Sequence, residues 1–181
     1  MIINKDERYQ NISITVNLSG IQIIEDSFIH DFNAIIYKTK VNRNNILLEI
    51  IENKKIYDFT KVKDILSDLK KLNIAILALD DFGSGYASFT NLIHLPIDIV
   101  KIDTFIVGHL NSDKYCDTAL DMVKIIKRLN LKVVAEGVET KEQFEKLSET
   151  GCDYFQGYYF SKPVSNIYDI LKQKNGIFLQ K

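Results

Sequence analysis

Apolar residues recur along the chain in short β-branched runs that are separated by longer segments of helical periodicity. The short runs predict strands at residues 12–18, 46–51, 74–79, 97–102 and 132–135, with a weaker one at 154–155. The longer segments predict helices at residues 28–39, 57–72, 115–129, 141–150 and 168–173. Alternating strands and helices with nearly continuous apolar strands indicate an α/β fold with a parallel sheet, either open and doubly wound or closed into a barrel.

Composition excludes several classes of protein. The 181 residues are 46% hydrophobic and 26% charged, which fits one globular domain, and the formal net charge of −1 gives no general attraction to DNA, RNA or anionic lipid. Cys116 and Cys152 form neither a CxxC pair nor a disulfide framework, which favours a reducing compartment. The chain shows no leader segment and no apolar run of about 18 residues, so we expect a cytoplasmic protein without a membrane segment.

Polar side chains stand at the carboxyl end of nearly every predicted strand, where sites form in both candidate architectures. In chain order they are Asn17, Glu49 with Glu52, Asp80 with Asp81, Lys101 with Asp103, Glu136 and Gln156. Each also has an ordinary structural explanation. Asp81 could cap the helix expected near Tyr86, and Lys101 could pair with Asp98 or Asp103. Glu52 could be a solvated charge that opens a helix, and Gln156, Asn17 and Glu136 could be loop or turn residues. The coincidence of polar groups at all six strand ends favours a functional site.

The chemistry of this set indicates a hard divalent cation. Carboxylates and one amide oxygen, without histidine or cysteine, favour Mg²⁺ or Mn²⁺ over Zn²⁺. Adjacent Asp80 and Asp81 could serve two cations that activate water and hold a phosphodiester, with Lys101 steadying the hydroxide or a phosphate oxygen. His30, His94 and His109 are predicted to be structural or surface residues.

The segment after the two aspartates predicts a flexible turn beside the cation site. Gly83 and Gly85 would give the turn its backbone freedom, and Phe82 and Tyr86 would anchor it. The glycines lack the spacing and the lysine of a P-loop.

Five segments carry a family resemblance. They are VNLSG at 16–20, LEIIE at 48–52, LDDFGSGYASFTNLIHLPIDIVKID at 79–103, VVAEGVET at 133–140 and DYFQGYYFSKPV at 153–164. In content and order they resemble the EAL domains, which hydrolyse cyclic di-GMP to pGpG with Mg²⁺ or Mn²⁺. The resemblance implies a TIM-type (β/α) barrel, cyclic di-GMP as ligand and a role in bacterial second-messenger signalling.

The resemblance also implies roles for individual residues. Asn17, Glu49 and Asp80 would bind one metal ion, and Asp80, Asp81 and Glu136 would serve the second. Lys101 looks like the catalytic lysine that positions the attacking water. Glu52 looks like the glutamate that steadies the DDFG loop, and Gln156 like the glutamine beside the catalytic centre. Asp103, Phe82, Gly83 and Gly85 would position the substrate or the loop.

The chain departs from the family in one respect. It contains no Glu-Ala-Leu motif, whose glutamate binds metal in the family, and it shows about six of the eight strand units of a closed barrel. Residues 1–181 are therefore interpreted as a single EAL-like domain without its amino-terminal strand and helix units. Weak or absent activity is expected of the isolated chain, and a homodimer or an upstream regulatory domain is a possible partner.

Two other functions remain open at this point. The chain could be a non-catalytic cyclic di-GMP receptor or a protein-interaction module that keeps the same rim. It could also be a magnesium-dependent barrel that abstracts a proton beside a carboxylate, with Lys101 as base. The adjacent aspartates fit a site that bridges two cations better than this last chemistry.

Overall fold

The computed structural model describes residues 12–51, 59–73, 75–84, 89–112 and 114–165. Within them six strands alternate with helices: β1 (Ile14–Ser19), β2 (Ile46–Ile51), β3 (Ile76–Phe82), β4 (Ile99–Ile102), β5 (Lys132–Ala135) and β6 (Tyr154–Phe155). The helices are α1 (Gly20–Ile23), α2 (Phe28–Thr39), α3 (Phe59–Lys71), α4 (Phe89–His94), α5 (Thr104–Gly108), α6 (Cys116–Arg128) and α7 (Lys141–Glu149). Two 3-10 helices, Arg43–Asn45 and His109–Asn111, complete the order.

The six strands form one sheet in which they follow one another in sequence order. The pairs β1–β2, β2–β3 and β5–β6 are parallel. Sequential parallel strands linked by helices are the pattern of an α/β fold of the barrel type, and this confirms the fold class expected from the sequence.

The chain divides into two compact units, one of Met1–Asp81 with Gly85–Ile99 and one of Phe82–Ser84 with Val100–Lys181. In the first unit the apolar residues of β2 and β3 and one face of α3 are buried, namely Leu48, Ile50, Leu77, Leu79, Val62, Leu66 and Leu69. In the second unit the buried residues include Val100, Ile102, Val107, Leu110, Val123, Ile126, Val133 and Leu147. Helix residues three and four apart, such as Val62, Leu66 and Leu69, supply one apolar face each, as amphipathic helices do.

Helix starts follow local sequence signals. Ser19 caps α1 and Thr140 caps α7, and in both cases a glutamine at the third helical position bonds back to the backbone of the cap residue. Asp103 caps α5 by accepting a hydrogen bond from the Phe105 amide at 2.7 Å.

Several predicted boundaries need correction. Strand β3 continues through Asp80, Asp81 and Phe82, where the prediction ended it at residue 79. Strand β1 begins at Ile14 and β4 at Ile99, each two residues later than predicted. Helices α1 and α5 were not predicted as such, because four and five residues are too few to show a helical period. Helix α4, Phe89–His94, stands where a helix was expected to begin near Tyr86. The predicted helix at 168–173 lies outside the described residues.

Both cysteines are free, as the sequence suggested. Burial raises the pKa of the Cys152 thiol to about 12. None of the helices among the described residues has the length and apolar character that crossing a bilayer requires.

The same set of contacts, made by one aspartate to a strand amide and to a helix lysine, occurs twice at the amino-terminal ends of strands. In the second unit, Asp153 lies just before β6, donates its amide to the Val133 carbonyl at 3.1 Å and accepts the Val133 amide with its carboxylate at 2.8 Å. Lys127, in the last turn of α6, donates to the same carboxylate at 2.6 Å. One carboxylate thus holds a helix end and two neighbouring chain segments together.

The first unit repeats this arrangement. Asp98 lies just before β4, donates its amide to the Leu77 carbonyl of β3 and accepts the Leu77 amide with its carboxylate, both at 2.9 Å. The same carboxylate pairs with Lys70 in the last turn of α3. Because the pattern of helix end, strand and following aspartate recurs, we define the triplets Lys70–Leu77–Asp98 and Lys127–Val133–Asp153 as the two aspartate clamps.

We expect Asp153→Ala to lower the free energy of unfolding by about 1–3 kcal/mol, because it leaves the Val133 amide without its acceptor and breaks the pair with Lys127. Asp153→Asn should cost less, since an amide oxygen can still accept the Val133 bond. Urea unfolding followed by far-UV circular dichroism measures both. Asp121→Ala, which breaks an exposed pair with Lys124, is the control and should change little. Equal losses for Asp153→Ala and Asp153→Asn would contradict a role for the backbone bond.

Candidate active site

The register of the first three strands places three predicted site residues on one side of the sheet. Asn17 of β1 pairs with Glu49 of β2, and Glu49 pairs with Ala78 of β3. Asp80 lies two residues beyond Ala78 and so projects from the same face. Glu49 and Asp80 are only 7% and 8% exposed, whereas Asn17 is exposed. Three oxygen donors therefore share one face near the carboxyl ends of neighbouring parallel strands.

Asp81 has a backbone conformation that is uncommon for a strand residue. Its φ angle is +52°, in the left-handed region, which costs most side chains about 1–2 kcal/mol but which aspartate tolerates better than most. In a regular strand Asp81 would project from the face opposite to Asp80. In this structure one carboxylate oxygen of each residue lies within 4.8 Å of the other. The left-handed angle at Asp81 thus occurs where the carboxylates of two successive residues lie near each other rather than on opposite faces of the strand.

These donors suit a hard divalent cation. Asp80 and Asp81 supply carboxylate oxygens, and Glu49 and Asn17 lie on the same side of the sheet as Asp80. An all-oxygen set of this kind fits Mg²⁺ or Mn²⁺ chemistry and lacks the nitrogen or sulfur ligands that Zn²⁺ favours. The residues of the first unit could therefore hold a metal ion.

The second unit contains a buried ion pair at the ends of β4 and β5. The Lys101 ammonium lies 2.8 Å from the Glu136 carboxylate, and the two side chains are 7% and 12% exposed. The sequence had suggested Asp98 or Asp103 as the structural alternative for Lys101. That alternative is wrong for both residues, because Asp98 belongs to an aspartate clamp with Lys70 and Asp103 caps α5.

Close backbone packing fixes the segment that carries Glu136. The Glu136 amide donates to the Ile102 carbonyl at 3.1 Å, which aligns the start of this loop with the end of β4. Gly137 has φ +70°, and a Cβ there would lie 2.6 Å from Cγ2 of Thr104, the first residue of α5. Glycine at 137 is what allows the two segments to approach this closely.

Phe82 and Gly83 of the turn after the two aspartates pack against the segment that follows β4. Phe82 is buried, and its carbonyl accepts the Asp103 amide at 3.1 Å. Gly83 has φ +102°, and a Cβ there would lie 2.7 Å from Cγ1 of Ile106. The turn therefore needs glycine at 83 both for its backbone angle and for its contact with α5.

The remaining predicted residues stand as follows. Gln156 has an exposed side chain, while its backbone bonds Ala135 and Val138. Glu52, Gly85 and Tyr86 lie outside the described residues. His30 and His94 lie on helices α2 and α4, and His109 begins a 3-10 helix, in keeping with structural or surface roles.

Sequence reasoning missed one buried polar residue beside this region. Gln143 on α7 is 4% exposed and bonds the loop that follows Glu136. Its signal in the sequence was the spacing of Thr140 and Gln143, which is that of a helix capping box.

Comparison with known proteins identifies the family. The EAL domain family matches residues 3–163, which is most of the chain. The chain belongs to the EAL domain family.

Curated relatives carry names that agree with this family. The chain is 36% identical over 166 residues to the "Probable cyclic di-GMP phosphodiesterase PdeG" of Escherichia coli K12, covering 90% of this chain and 32% of that protein. It is 33% identical over 150 residues to the "Cyclic di-GMP phosphodiesterase PdeA" of Borreliella burgdorferi, covering 82% of this chain and 22% of that protein. The chain thus spans about a third or less of these relatives' length.

Solved structures of EAL proteins share the fold. The EAL enzyme Bd1971, in a form bound to cAMP and cyclic di-GMP, is 30% identical with a TM-score of 0.83, over 94% of this chain and 45% of that one. An EAL domain protein from Listeria monocytogenes EGD-e is 35% identical with a TM-score of 0.77, over 91% of this chain and 65% of that one.

We expect Gly83→Ala in this EAL chain to cost about 1–3 kcal/mol of stability, because alanine is strained at φ +102° and its Cβ would collide with Ile106. Gly20→Ala is the matched control: it opens α1, has no atom within 4 Å of an added Cβ, and should be neutral or slightly stabilising. Thermal unfolding by circular dichroism compares the two. A Gly83→Ala variant as stable as the Gly20→Ala variant would contradict the described geometry.

A second prediction concerns the buried pair. Lys101→Met alone should destabilise the metal-free chain by about 3–5 kcal/mol, because it leaves the Glu136 carboxylate buried without its cation. The double variant Lys101→Met with Glu136→Leu should recover most of that loss, since neither charge is then buried. Urea unfolding in excess chelator measures both variants. A double variant no more stable than Lys101→Met would argue against a direct pair.

Proposed function

We propose that this EAL domain hydrolyses one phosphodiester bond of cyclic di-GMP to give pGpG, with two Mg²⁺ or Mn²⁺ ions as cofactors. The proposal rests on membership of the EAL family, on relatives named as cyclic di-GMP phosphodiesterases and on the polar residues at the strand ends. The observation that carries it is the pair Asp80 and Asp81, two adjacent carboxylates whose oxygens lie within 4.8 Å. Such a pair suits a site that bridges two cations.

The reaction consumes one water molecule. Its oxygen forms a new bond to phosphorus, in line with the bond to the ribose 3′ oxygen, which breaks. The 3′ oxygen leaves with a proton, and the product keeps a 5′ phosphate and gains a 3′ hydroxyl. When bound, the divalent ions would lower the pKa of the attacking water and neutralise charge on the phosphate.

The ligand roles are divided between carboxylates and one amide. Asn17, Glu49 and Asp80 would hold one ion, which their common face on β1, β2 and β3 supports. Asp80, Asp81 and Glu136 would hold the second. Hydrogen-bonded and buried carboxylates need little rearrangement to bind, so the burial of Glu49 and Asp80 favours a preformed site.

Lys101 would act on the phosphate and the attacking water. Its ammonium is almost fully buried, so its electrostatic effect on a nearby anion is less screened than that of a surface lysine. The pair with Glu136 holds the ammonium in place at the end of β4. We assign Lys101 the positioning and stabilisation of the attacking hydroxide.

Supporting roles go to the remaining predicted residues. Gln156 and Glu52 would act beside the catalytic centre and on the DDFG loop, respectively. Asp103, Phe82, Gly83 and Gly85 would keep that loop in position, which the bond from the Asp103 amide to the Phe82 carbonyl supports.

The isolated chain should be a weak catalyst or inactive, because it contains no Glu-Ala-Leu motif and so lacks the glutamate ligand that the family takes from it. A partner segment that supplies this strand, a second copy of the chain or an upstream regulatory domain would restore or control activity. We place the protein in the cytoplasm, where cyclic di-GMP acts in bacterial signalling.

The test incubates the chain with cyclic di-GMP and Mn²⁺ or Mg²⁺ and separates pGpG by chromatography, beside a form extended at its amino end by a segment with the Glu-Ala-Leu motif. We expect the extended form to be faster. Asp80→Asn in that form should lower the rate by about 10²–10³-fold, as loss of charge stabilisation at a reacting centre does. Asp121→Asn, on the exposed face of α6, should leave the rate unchanged. An unchanged rate in Asp80→Asn would overturn the site assignment.

The alternative function is a cyclic di-GMP receptor, and the cyclic di-GMP-bound form of the EAL enzyme Bd1971 supports this dinucleotide as the ligand. Binding of cyclic di-GMP by both forms, without pGpG from either, would support this function over hydrolysis. Isothermal titration calorimetry on the same samples provides the binding measurement.

A further inference from the structure

Gln143 connects the loop after Glu136 to the helix that follows Lys101. Its side-chain oxygen accepts the amides of Glu139 and Thr140 at 2.8 and 3.1 Å. Its amide nitrogen donates to the Val107 carbonyl, near the end of α5, at 3.4 Å. The side chain is thus in contact with both segments from within a buried position.

The loop from Glu136 to Thr140 is held by backbone bonds at its beginning and middle. The Glu136 amide donates to Ile102, and the Val138 amide donates to the Gln156 carbonyl at 3.0 Å. For the last two amides of the loop the acceptor is the Gln143 side chain. Without it, two amides at the end of the loop would lose their bonds, and the loop could shift along β5.

These bonds are shielded from water to different degrees: the two bonds to the loop amides are part-buried and the bond to Val107 is buried. An amide that loses its acceptor in a part-buried position costs free energy, because water replaces the partner only in part. Methionine at 143 would fill a similar volume but would satisfy neither the loop amides nor the Val107 carbonyl. The loop would then relax to find other partners, and Glu136 lies at its first position.

We propose that Gln143 is a positioning residue for the Lys101–Glu136 pair, and this inference rests on the proposed function of that pair. It fixes the loop that carries Glu136 and ties it to α5, whose cap residue Asp103 follows Lys101 by two positions. Residues that orient ligating side chains typically change metal affinity by about 10–100-fold when they are replaced. Gln143 would therefore act on the metal site through Glu136 rather than by contact.

The chain offers a matched control on the same helix. Lys146, three residues after Gln143, donates to the Leu110 carbonyl of the adjacent 3-10 helix at 3.0 Å and pairs with Glu142. Lys146→Met therefore removes a bond between α7 and the segment after α5 but leaves the Glu136–Thr140 loop untouched.

The first experiment measures amide hydrogen exchange by NMR in the metal-free 181-residue chain. In Gln143→Met, the Glu136 and Val138 amides should exchange about tenfold faster, the ratio expected for loss of one hydrogen bond. In Lys146→Met the same amides should keep their wild-type protection. Unchanged exchange at Glu136 and Val138 in Gln143→Met, or equal acceleration in both variants, would overturn the proposal.

A conservative variant separates the two contacts of Gln143. Gln143→Glu keeps an oxygen acceptor for the Glu139 and Thr140 amides but loses the donor to Val107. It should restore most of the protection at Glu136. A Gln143→Glu chain that exchanges as fast as Gln143→Met would show that the contact with the loop is not the one that matters.

The second experiment titrates Mn²⁺ by calorimetry into the wild-type chain and the same variants, each extended at its amino end by the segment with the Glu-Ala-Leu motif. We expect Gln143→Met to weaken binding by about 10-fold or more and Lys146→Met to leave it unchanged. If the wild-type chain bound no Mn²⁺, the proposed function would fail, while the exchange data would still decide the position of the loop. Equal affinity in wild type and Gln143→Met would overturn the link from Gln143 to the metal site.

Discussion

The buried pair of Lys101 and Glu136 is the interaction on which the arrangement of the second unit depends. Two charges that are 7% and 12% exposed have lost most of their hydration, and their 2.8 Å contact offsets part of that loss. A pair of this kind tolerates little displacement, since its attraction falls as the separation grows and no water replaces the partner. The chain segments that carry the two residues are accordingly packed without space for adjustment. Gly137 lies against Thr104, and the Glu136 amide is bonded to the end of β4.

The two aspartate clamps and the proposed site residues lie at opposite ends of the strands. The two aspartate clamps lie at the amino-terminal ends of β3, β4, β5 and β6, where each carboxylate satisfies a backbone amide and a lysine from a helix end. The carboxyl ends carry Glu49, Asp80, Asp81, Lys101 and Glu136. The charges at the amino-terminal ends thus have partners, and these contacts hold the strands in place. Within each unit, charges at the carboxyl ends are buried or partly buried at some cost in desolvation, which is common where a ligand is bound.

Much of this could be predicted from the sequence, for identifiable reasons. Strands β2 and β5 and helix α2 have the predicted bounds, because their apolar runs or helical periods are uninterrupted. Strand β3 was predicted too short because a charged pair ordinarily ends a strand, whereas here Asp80 and Asp81 lie within it. The partner of Lys101 could not be predicted, since Glu136 is distant in sequence and only tertiary structure brings the two together. The aspartate clamps could not be predicted for the same reason. In the sequence alone, Asp98 and Asp153 are ordinary polar residues before a strand, and their partners are distant in sequence.

The backbone at Asp81 shows why local rules fail at this site. A left-handed φ at a residue other than glycine costs free energy, and placing two carboxylates side by side costs more. Folding alone gives no reason to combine the two costs at adjacent residues, since a strand with regular alternation would separate the carboxylates on opposite faces. In the proposed function a bound divalent cation would reverse the balance, because it would turn the repulsion between Asp80 and Asp81 into shared attraction. The left-handed angle at Asp81 would then be a conformation that serves metal binding.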